Sequence, residues 1–141
     1  MRHTPGMTPN ELRERVTAWA VDVGYLVSPM FRRNETAHRA SQLKRAADST
    51  AANYRAACIA RSHREFLAKL SIALEEADEA VGWLEMSHRE GILRGEDVVR
   101  VLDEGRQLTR ILAKSRETAQ EREGLSRKSK GRPATGAPND Q

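Results

Sequence analysis

Two kinds of side chain in this 141-residue sequence have types and spacings that could support chemistry. Glu35 with His38 and Glu85 with His88 follow the Glu-x-x-His spacing, which supplies carboxylate and imidazole ligands to two-metal centres in helical bundles. The single cysteine, Cys58, could act as a nucleophile if its thiol were ionised and accessible. Whether either chemistry is possible depends on the elements that carry these residues.

The helical positions of the candidate ligands do not support a metal centre. At 100° per residue, His38 projects about 180° away from the apolar stripe of the second predicted helix, so it faces outward. Glu35 falls near or before the start of that helix, and isolated spacings of this kind are weak signals. Surface or capping roles fit both histidines better, and the sequence predicts neither a metal site nor a cofactor.

Cys58 lies on the apolar stripe of the second predicted helix, where a free cysteine behaves as a small apolar residue. The sequence also has no Gly-rich phosphate loop and no cluster of serine, histidine and aspartate within helical reach. It therefore predicts no catalytic residue and a protein that is not an enzyme.

A lone cysteine cannot form an intrachain disulfide, and the first seven residues lack the apolar segment of a secretory signal. Mean hydropathy is −0.69, and no stretch approaches the roughly 18 consecutive apolar residues of a membrane span. These features predict a cytoplasmic protein with no membrane partner.

The first helix has a strong start signal. Thr8 supplies a hydroxyl cap, Pro9 occupies a position that needs no N–H group, and Glu11 follows at the third residue after the cap. An apolar stripe with spacings of three and four residues then predicts a helix that ends near Val27, because Pro29 disfavours helical geometry at the residue before it.

Three further helices are predicted from the same kind of pattern. The second runs from a cap at Asn34 to about Arg61, and the third begins with a capping box at Ser62 and ends before Gly91. The fourth begins near Asp97 and fades near Glu121, and Gly105 inside it predicts a close approach of another element. Four amphipathic helices predict an all-α, antiparallel up-down-up-down four-helix bundle over residues 8–121, with a flexible N-terminus at 1–7 and a disordered basic tail at 122–141.

Charge is distributed unevenly along the chain, whose net charge is +4. Residues 32–64 carry eight basic and two acidic side chains, whereas residues 65–90 carry two basic and seven acidic ones. One interpretation is that the second and third helices pair their charges internally. The other is that a basic surface remains for a polyanion, and the candidate nucleic-acid-binding residues are then Arg32, Arg33, Lys44, Arg55, Arg61, Arg64, Arg127, Lys128, Lys130 and Arg132.

The outward faces of the second and third helices are less charged than a solvated face should be. Small residues four apart on the second helix let another helix come close, and three large apolar residues of the third helix lie off its main stripe. These residues form the candidate oligomer interface: Ala52, Ala56, Ala60, Ile72, Trp83 and Met86. In a lone bundle Trp83 would be exposed, unless it lies across a bundle edge and the alanines merely favour helix.

A resemblance to a known family lies in residues 53–85. This region carries Asn-Tyr-Arg-Ala-Ala-Cys-Ile-Ala-Arg-Ser at 53–62, then Glu65-Phe66, Lys69-Leu70, the acidic run at 75–79 and Trp83-Leu84-Glu85. These residues look like the signature of the four-helix bundle protein family that includes the products of intervening sequences in bacterial 23S ribosomal RNA genes. The family also resembles the accessory variability proteins of diversity-generating retroelements.

The resemblance implies an antiparallel four-helix bundle that assembles into a pentameric ring and has no known enzyme activity. It also implies a role in binding nucleic acid or a protein partner. Our first hypothesis is therefore a non-enzymatic ring that binds nucleic acid, RNA before DNA, as an accessory or scaffold protein. The alternative is a protein–protein adaptor without nucleic-acid binding, whose client could be a nucleic-acid enzyme.

Overall fold

The computed structural model describes residues 6–131, with all side chains in that range except those at positions 126, 127, 129 and 130. Within this range the chain forms four α-helices and no strand, and a short 3₁₀ helix, Ser28–Arg32, joins the first two. The helices are α1 Pro9–Val27, α2 Asn34–Cys58, α3 His63–Arg89 and α4 Glu96–Lys130. Each helix packs against the next, and α4 returns to α1. The predicted antiparallel four-helix bundle is confirmed.

The start of α1 is the predicted capping box. The Thr8 hydroxyl accepts a hydrogen bond from the Glu11 N–H, and the Glu11 carboxylate accepts one from the Thr8 N–H, both at 3.2 Å. The helix ends at Val27, as predicted from Pro29. Two free N–H groups at the helix start are thereby satisfied.

The boundaries between α2 and α3 differ slightly from prediction. Arg33, not Asn34, is the residue that precedes α2, and it makes no capping side-chain bond. The helix ends at Cys58, three residues before Arg61. Ser62 caps α3 as predicted, but the Glu65 carboxylate accepts from the Arg61 N–H instead of the Ser62 N–H.

The fourth helix continues to Lys130 instead of fading near Glu121. The predicted disorder from residue 122 is corrected for 122–130, where helix-favouring Arg, Glu, Leu and Lys outweigh the single Gly124. After Ala119 every described side chain is exposed or half-buried, so about 16 Å of helix extends beyond the bundle. We call residues 120–130 the α4 extension. The rest of the predicted tail, and residues 1–5 of the predicted flexible N-terminus, lie outside the described residues.

The core is tightest where α1, α3 and α4 meet at Gly105. A Cβ atom added there would lie 2.9 Å from Cγ2 of Val81 and 3.1 Å from Nε1 of Trp19. The Trp19 indole is buried and donates to the carbonyl of Val101 at 3.1 Å. The close approach predicted at Gly105 is confirmed, and it fixes the relative heights of these three helices.

Between residues 6 and 131, no helix has both the length and the hydrophobicity required to cross a membrane.

Candidate nucleic-acid interface

Cuts near the midpoints of the helices, with α4 counted only as far as Ala119, divide the bundle into two halves of opposite charge. The lower half consists of residues 8–17, 49–75 and 107–131, and it includes the α2–α3 turn and the α4 extension. It has thirteen basic and seven acidic residues. The upper half, residues 18–48 and 76–106, has nine basic and twelve acidic residues. The molecule is therefore electrically polar along its long axis, which its net charge does not reveal.

Most basic side chains of the upper half are neutralised by ion pairs. Arg45 of α2 spans two carboxylates of α3, Glu76 at 3.2 Å and Glu79 at 2.8 Å, and these hydrogen bonds raise the pKa of Arg45. Arg39 of α2 pairs with Glu90 at 2.6 Å. The predicted charge pairing between the second and third helices is confirmed here. In total, six of the nine basic side chains of this half form ion pairs.

The basic side chains of the lower half are mostly unpaired. Of the eleven whose side chains are described, only Arg15 and Lys114 form ion pairs. The exposed ones that make no ion pair with a described side chain are Arg55, Arg61, Arg64, Arg110, Arg122 and Lys128. We call these six residues the basic cluster. Because no described side chain neutralises their charges, they are available to phosphate groups.

The fold brings most of the basic cluster to one end of the bundle, while Arg110 lies about 13.5 Å further up α4, nine residues before Ala119. Arg55 lies in the last turn of α2, and Arg61 and Arg64 flank the turn into α3. The His63 ring donates from Nε2 to the carbonyl of Ala119 at 2.8 Å, which attaches the start of α3 to α4 just before the α4 extension. The turn and the extension therefore present their cations at the same end.

Not all of the sequence-predicted cations join this cluster. Arg32 and Arg33 are exposed at the opposite end of the bundle, and Lys44 pairs with Asp48 at 2.8 Å. Arg127 and Lys130 belong to α4 by their backbone, their side chains are not described, and Arg132 lies outside the described residues. The sequence reasoning missed Arg110, whose segment is balanced in charge, and Arg122, because a tail-like segment gave no sign that it would follow the residue that contacts His63 at the start of α3.

The lower end also contains a cavity of about 340 Å³ beside the α2–α3 turn, lined in part by Cys58, His63 and Phe66. Burial raises the pKa of the Cys58 thiol, so it is mostly un-ionised at neutral pH. The buried Tyr54 hydroxyl next to it also has a raised pKa, chiefly from burial. Neither group has the depressed pKa of an activated nucleophile.

The candidate metal ligands remain apart. Glu35 and His38 are both exposed near the start of α2, and His88 contacts the carbonyl of Leu93 through Nδ1 at 3.3 Å. Among the described residues, no group of three or more histidine, cysteine, aspartate or glutamate side chains is placed to hold a metal ion.

The residues of the candidate oligomer interface are exposed or half-buried on α2 and α3. Ala52 is exposed, and Ala56 and Ala60 are half-buried. On α3, Ile72 and Met86 are 39% and 47% exposed.

Trp83 is half-buried and not exposed, so the alternative expectation, that it lies across a bundle edge, is the one the structure shows. The Arg39 guanidinium of α2 lies 5.5 Å from the centre of the ring, so the ring lies across the bundle edge. The Asn53 side chain bonds to Ser49 of its own helix and not to a neighbouring one.

Comparison with known proteins places this fold in a family. The model of the 23S rRNA-intervening sequence protein family matches residues 14–114. A solved structure from Bacteroides thetaiotaomicron, described as a protein of unknown function from the S23 ribosomal protein family, aligns with a TM-score of 0.69 and 27% identity. That alignment covers 76% of this chain and 96% of the other. No curated protein matches the chain significantly. The chain belongs to the 23S rRNA-intervening sequence protein family.

Proposed function

We propose that this protein is a non-enzymatic, ring-forming bundle that binds the phosphate backbone of nucleic acid, RNA before DNA, through its lower half. The observation that carries the proposal is the basic cluster, in which six exposed cations make no ion pair with a described side chain. The pentameric ring size comes from the family resemblance drawn from residues 53–85. The proposed role is that of an accessory or scaffold protein.

The chemistry of the cluster favours backbone contacts over base recognition. Arginine and lysine that neutralise phosphates release condensed counterions, which gives affinity that falls as salt rises. The cluster includes no exposed aromatic side chain on which bases could stack, and Phe66 nearby is half-buried. A ring would place several such clusters on one particle, so that weak contacts add up through multivalency.

A binding titration with a structured RNA at several salt concentrations tests this function. We expect the logarithm of the affinity to fall linearly with the logarithm of salt, with a slope of several units for several phosphate contacts. The double variant Arg61→Glu/Arg64→Glu should bind at least tenfold more weakly. Its matched control is Lys44→Glu/Arg94→Glu, which makes the same charge change in the upper half and should bind like the parent.

Two results would contradict the nucleic-acid function. One is no measurable affinity for RNA or DNA at low salt, and the other is affinity that does not respond to salt. Equal losses of RNA affinity in the two double variants would show that only net charge matters and that the basic cluster is not the binding site.

A protein–protein adaptor remains the second candidate, because large apolar residues are exposed in the upper half. Tyr25 is 78% exposed and Phe31 44% exposed. Apolar side chains of this size on a small domain are typical of partner-binding surfaces. If the protein shows no affinity for nucleic acid while Tyr25→Ala/Phe31→Ala abolishes binding of a purified protein client, the adaptor function is supported instead.

A further inference from the structure

The cavity beside the α2–α3 turn lies directly at the edge of the basic cluster. It has a volume of about 340 Å³, at the lower end of the range typical of small-ligand sites, and Pro9 in the first turn of α1 forms part of its wall. Arg61, a member of the basic cluster, also lines it. A ligand whose phosphates are held by the basic cluster therefore has a cavity next to it that another part of the same ligand can enter.

The wall of this cavity is mainly apolar and includes two rings. The His63 and Phe66 side chains both line it and are both half-buried. Their ring centres are 6.2 Å apart, and the ring planes are inclined at 35°. Aromatic rings in a binding site provide flat surfaces on which nucleobases stack. The cavity therefore supplies a stacking surface, which the cations of the basic cluster lack.

The polar side chains that line the cavity carry no negative charge. Nε2 of His63 donates to the Ala119 carbonyl at 2.8 Å, so Nδ1 of the neutral ring is left as an acceptor. The Ser62 hydroxyl accepts from the Glu65 N–H at 3.1 Å and keeps its own proton to donate. Burial raises the pKa of the Cys58 thiol, which stays un-ionised. An acceptor and a donor in a mainly apolar cavity suit the edge of a nucleobase.

Positive charge borders the cavity on two sides. Arg61 and Arg64 are exposed at the start of α3 and make no ion pair with a described side chain. On the α1 side, Arg13 lies close enough to Cys58 for its charge, together with a hydrogen bond from Tyr54, to oppose the pKa rise that burial causes. A phosphate can therefore be held at the rim while the base of the same nucleotide lies inside.

The basic cluster continues beyond this rim, which favours a chain of phosphates over one small anion. The contact of His63 with Ala119 joins the start of α3 to α4 just before the α4 extension, which carries Arg122 and Lys128. A single nucleotide at the rim would leave those cations unused, whereas a strand can follow them. In a duplex the bases are stacked and paired, so a base must be extruded at a free-energy cost before it can enter a protein cavity.

We propose that this cavity accepts the base of an unpaired nucleotide while the adjoining phosphates lie on the basic cluster, so that the protein selects single-stranded nucleic acid over duplex. The inference rests on the proposed nucleic-acid function and names the kind of strand that this function takes. His63 and Phe66 contact the base, and Arg61 contacts its phosphate. Stacking accepts every base, so the selection is for unpaired structure and not for sequence.

Three RNA ligands of equal strand length separate the contribution of the base from that of the phosphates. They are a single strand, the same strand with abasic residues throughout, and the duplex of that strand with its complement. The parent protein should bind the single strand about tenfold more tightly than the abasic strand, which carries the same phosphates. The duplex has the higher charge density and would bind best if phosphates alone mattered, but we expect it to bind more weakly than the single strand.

A cavity-filling variant tests the location of the base. Ala60→Leu enlarges a half-buried side chain of the cavity wall. Its matched control is Ala56→Leu, also half-buried but outside the wall. Ala60→Leu should lower the affinity for the single strand to that for the abasic strand, while Ala56→Leu binds like the parent and circular dichroism shows the same helix content in both. Both alanines belong to the candidate oligomer interface, so a loss caused by altered assembly would affect both variants.

Cys58 reports occupancy of the cavity in the unaltered protein. It lines the cavity and is the single cysteine of the chain, so its rate of reaction with a thiol reagent measures access to this place alone. Saturation with the single strand should slow that reaction severalfold, and saturation with the abasic strand should leave it unchanged. This measurement does not depend on whether Ala60→Leu folds.

The outcomes separate this inference from the function on which it rests. Equal affinities for the single and abasic strands, with equal Cys58 reaction rates, overturn the inference and leave phosphate binding by the basic cluster. Equal losses of affinity in Ala60→Leu and Ala56→Leu also overturn it. No affinity for any strand at low salt overturns the proposed function itself. Protection of Cys58 by a mononucleotide in that case would make the cavity a site for free nucleotides and would overturn the selection of a strand.

Discussion

The upper and lower halves of this bundle use similar side chains for different purposes. In the upper half, arginines such as Arg39 and Arg45 reach carboxylates on the adjacent helix. In the lower half, arginines such as Arg61 and Arg64 face solvent without an acidic partner among the described side chains. An exposed ion pair contributes at most about 1 kcal/mol, so the lower half loses little stability by leaving cations unpaired. The lower half can therefore keep unpaired positive charges at little cost in stability, and these charges are available for binding.

The largest expected effect comes from removing the part of the lower half that extends beyond the bundle. A chain that ends after Ala119 lacks the α4 extension, including Arg122 and Lys128, and should lose roughly thirtyfold in RNA affinity, about 2 kcal/mol, with a shallower salt slope. A chain that ends after Gly131 is the control and isolates the helical part. Unchanged affinity in the shorter chain would restrict the interface to the α2–α3 turn.

Glycine substitutions compare the packed interior of the upper half with the unpacked surface of the lower half. Gly105→Ala brings a Cβ within 2.9 Å of Val81 and should destabilise the fold by about 1 to 2 kcal/mol. Gly124→Ala in the α4 extension meets nothing within 4 Å and should increase helix content without destabilising the fold. Urea unfolding with circular dichroism measures both. Equal behaviour of the two variants would show that Gly105 is not a packing site.

Replacing single arginines by alanine compares an arginine that forms ion pairs with one that has no described ionic partner. Arg45→Ala breaks the contacts with Glu76 and Glu79 and should lower the free energy of unfolding slightly, and by less at high salt. Arg64→Ala removes a cation with no described ionic partner and should leave the free energy of unfolding within about 0.5 kcal/mol of the parent. A larger loss for Arg64→Ala than for Arg45→Ala would reverse the proposed division of roles.

The smallest effect concerns pH and the core of the lower half. Burial raises the pKa of Tyr54 above its ordinary value of 10.0, so the native state keeps its proton where the unfolded chain releases it. The stabilisation is complete below pH 10 and is lost as pH rises beyond it, by a few tenths of a kcal/mol at pH 10 itself. Tyr54→Phe should show a flatter decline of unfolding free energy between pH 9 and 11. An identical decline in the variant would assign the pH dependence to other groups.

Local signals in the sequence were sufficient for most of the fold. Thr8 with Glu11, and Pro29, fixed both ends of α1, because caps and proline act within one turn. Gly105 marked the closest helix approach, since a glycine inside a strongly patterned helix needs a packing reason. The end of α4 was misjudged because polar Gly- and Ser-containing composition was weighed above the helix propensity of residues 122–130.

The candidate site was less predictable because it depends on height in the bundle and not on position in the chain. The basic segment 32–64 runs from one end of the molecule to the other, so Arg32 and Arg61 separate while Arg61 and Arg122 converge. Trp83 also needed the structure, since the Arg39 guanidinium that covers its ring comes from another helix. The antiparallel packing of the helices decides both which arginines lie together and what covers the Trp83 ring. Local sequence patterns do not predict how antiparallel helices align.

The length of α4 also predicts how fast the amide protons at its end exchange with solvent. Residues 120–130 add turns to a helix that is already nucleated, so they form without the unfavourable first step that an isolated peptide of this length would face. Their described side chains are exposed or half-buried, however, so this segment should fray, and its amide protons should exchange much faster than those near buried Leu108 and Leu112. Exchange protection that rises from residue 120 onward when RNA is added would make this segment a built-in reporter of occupancy.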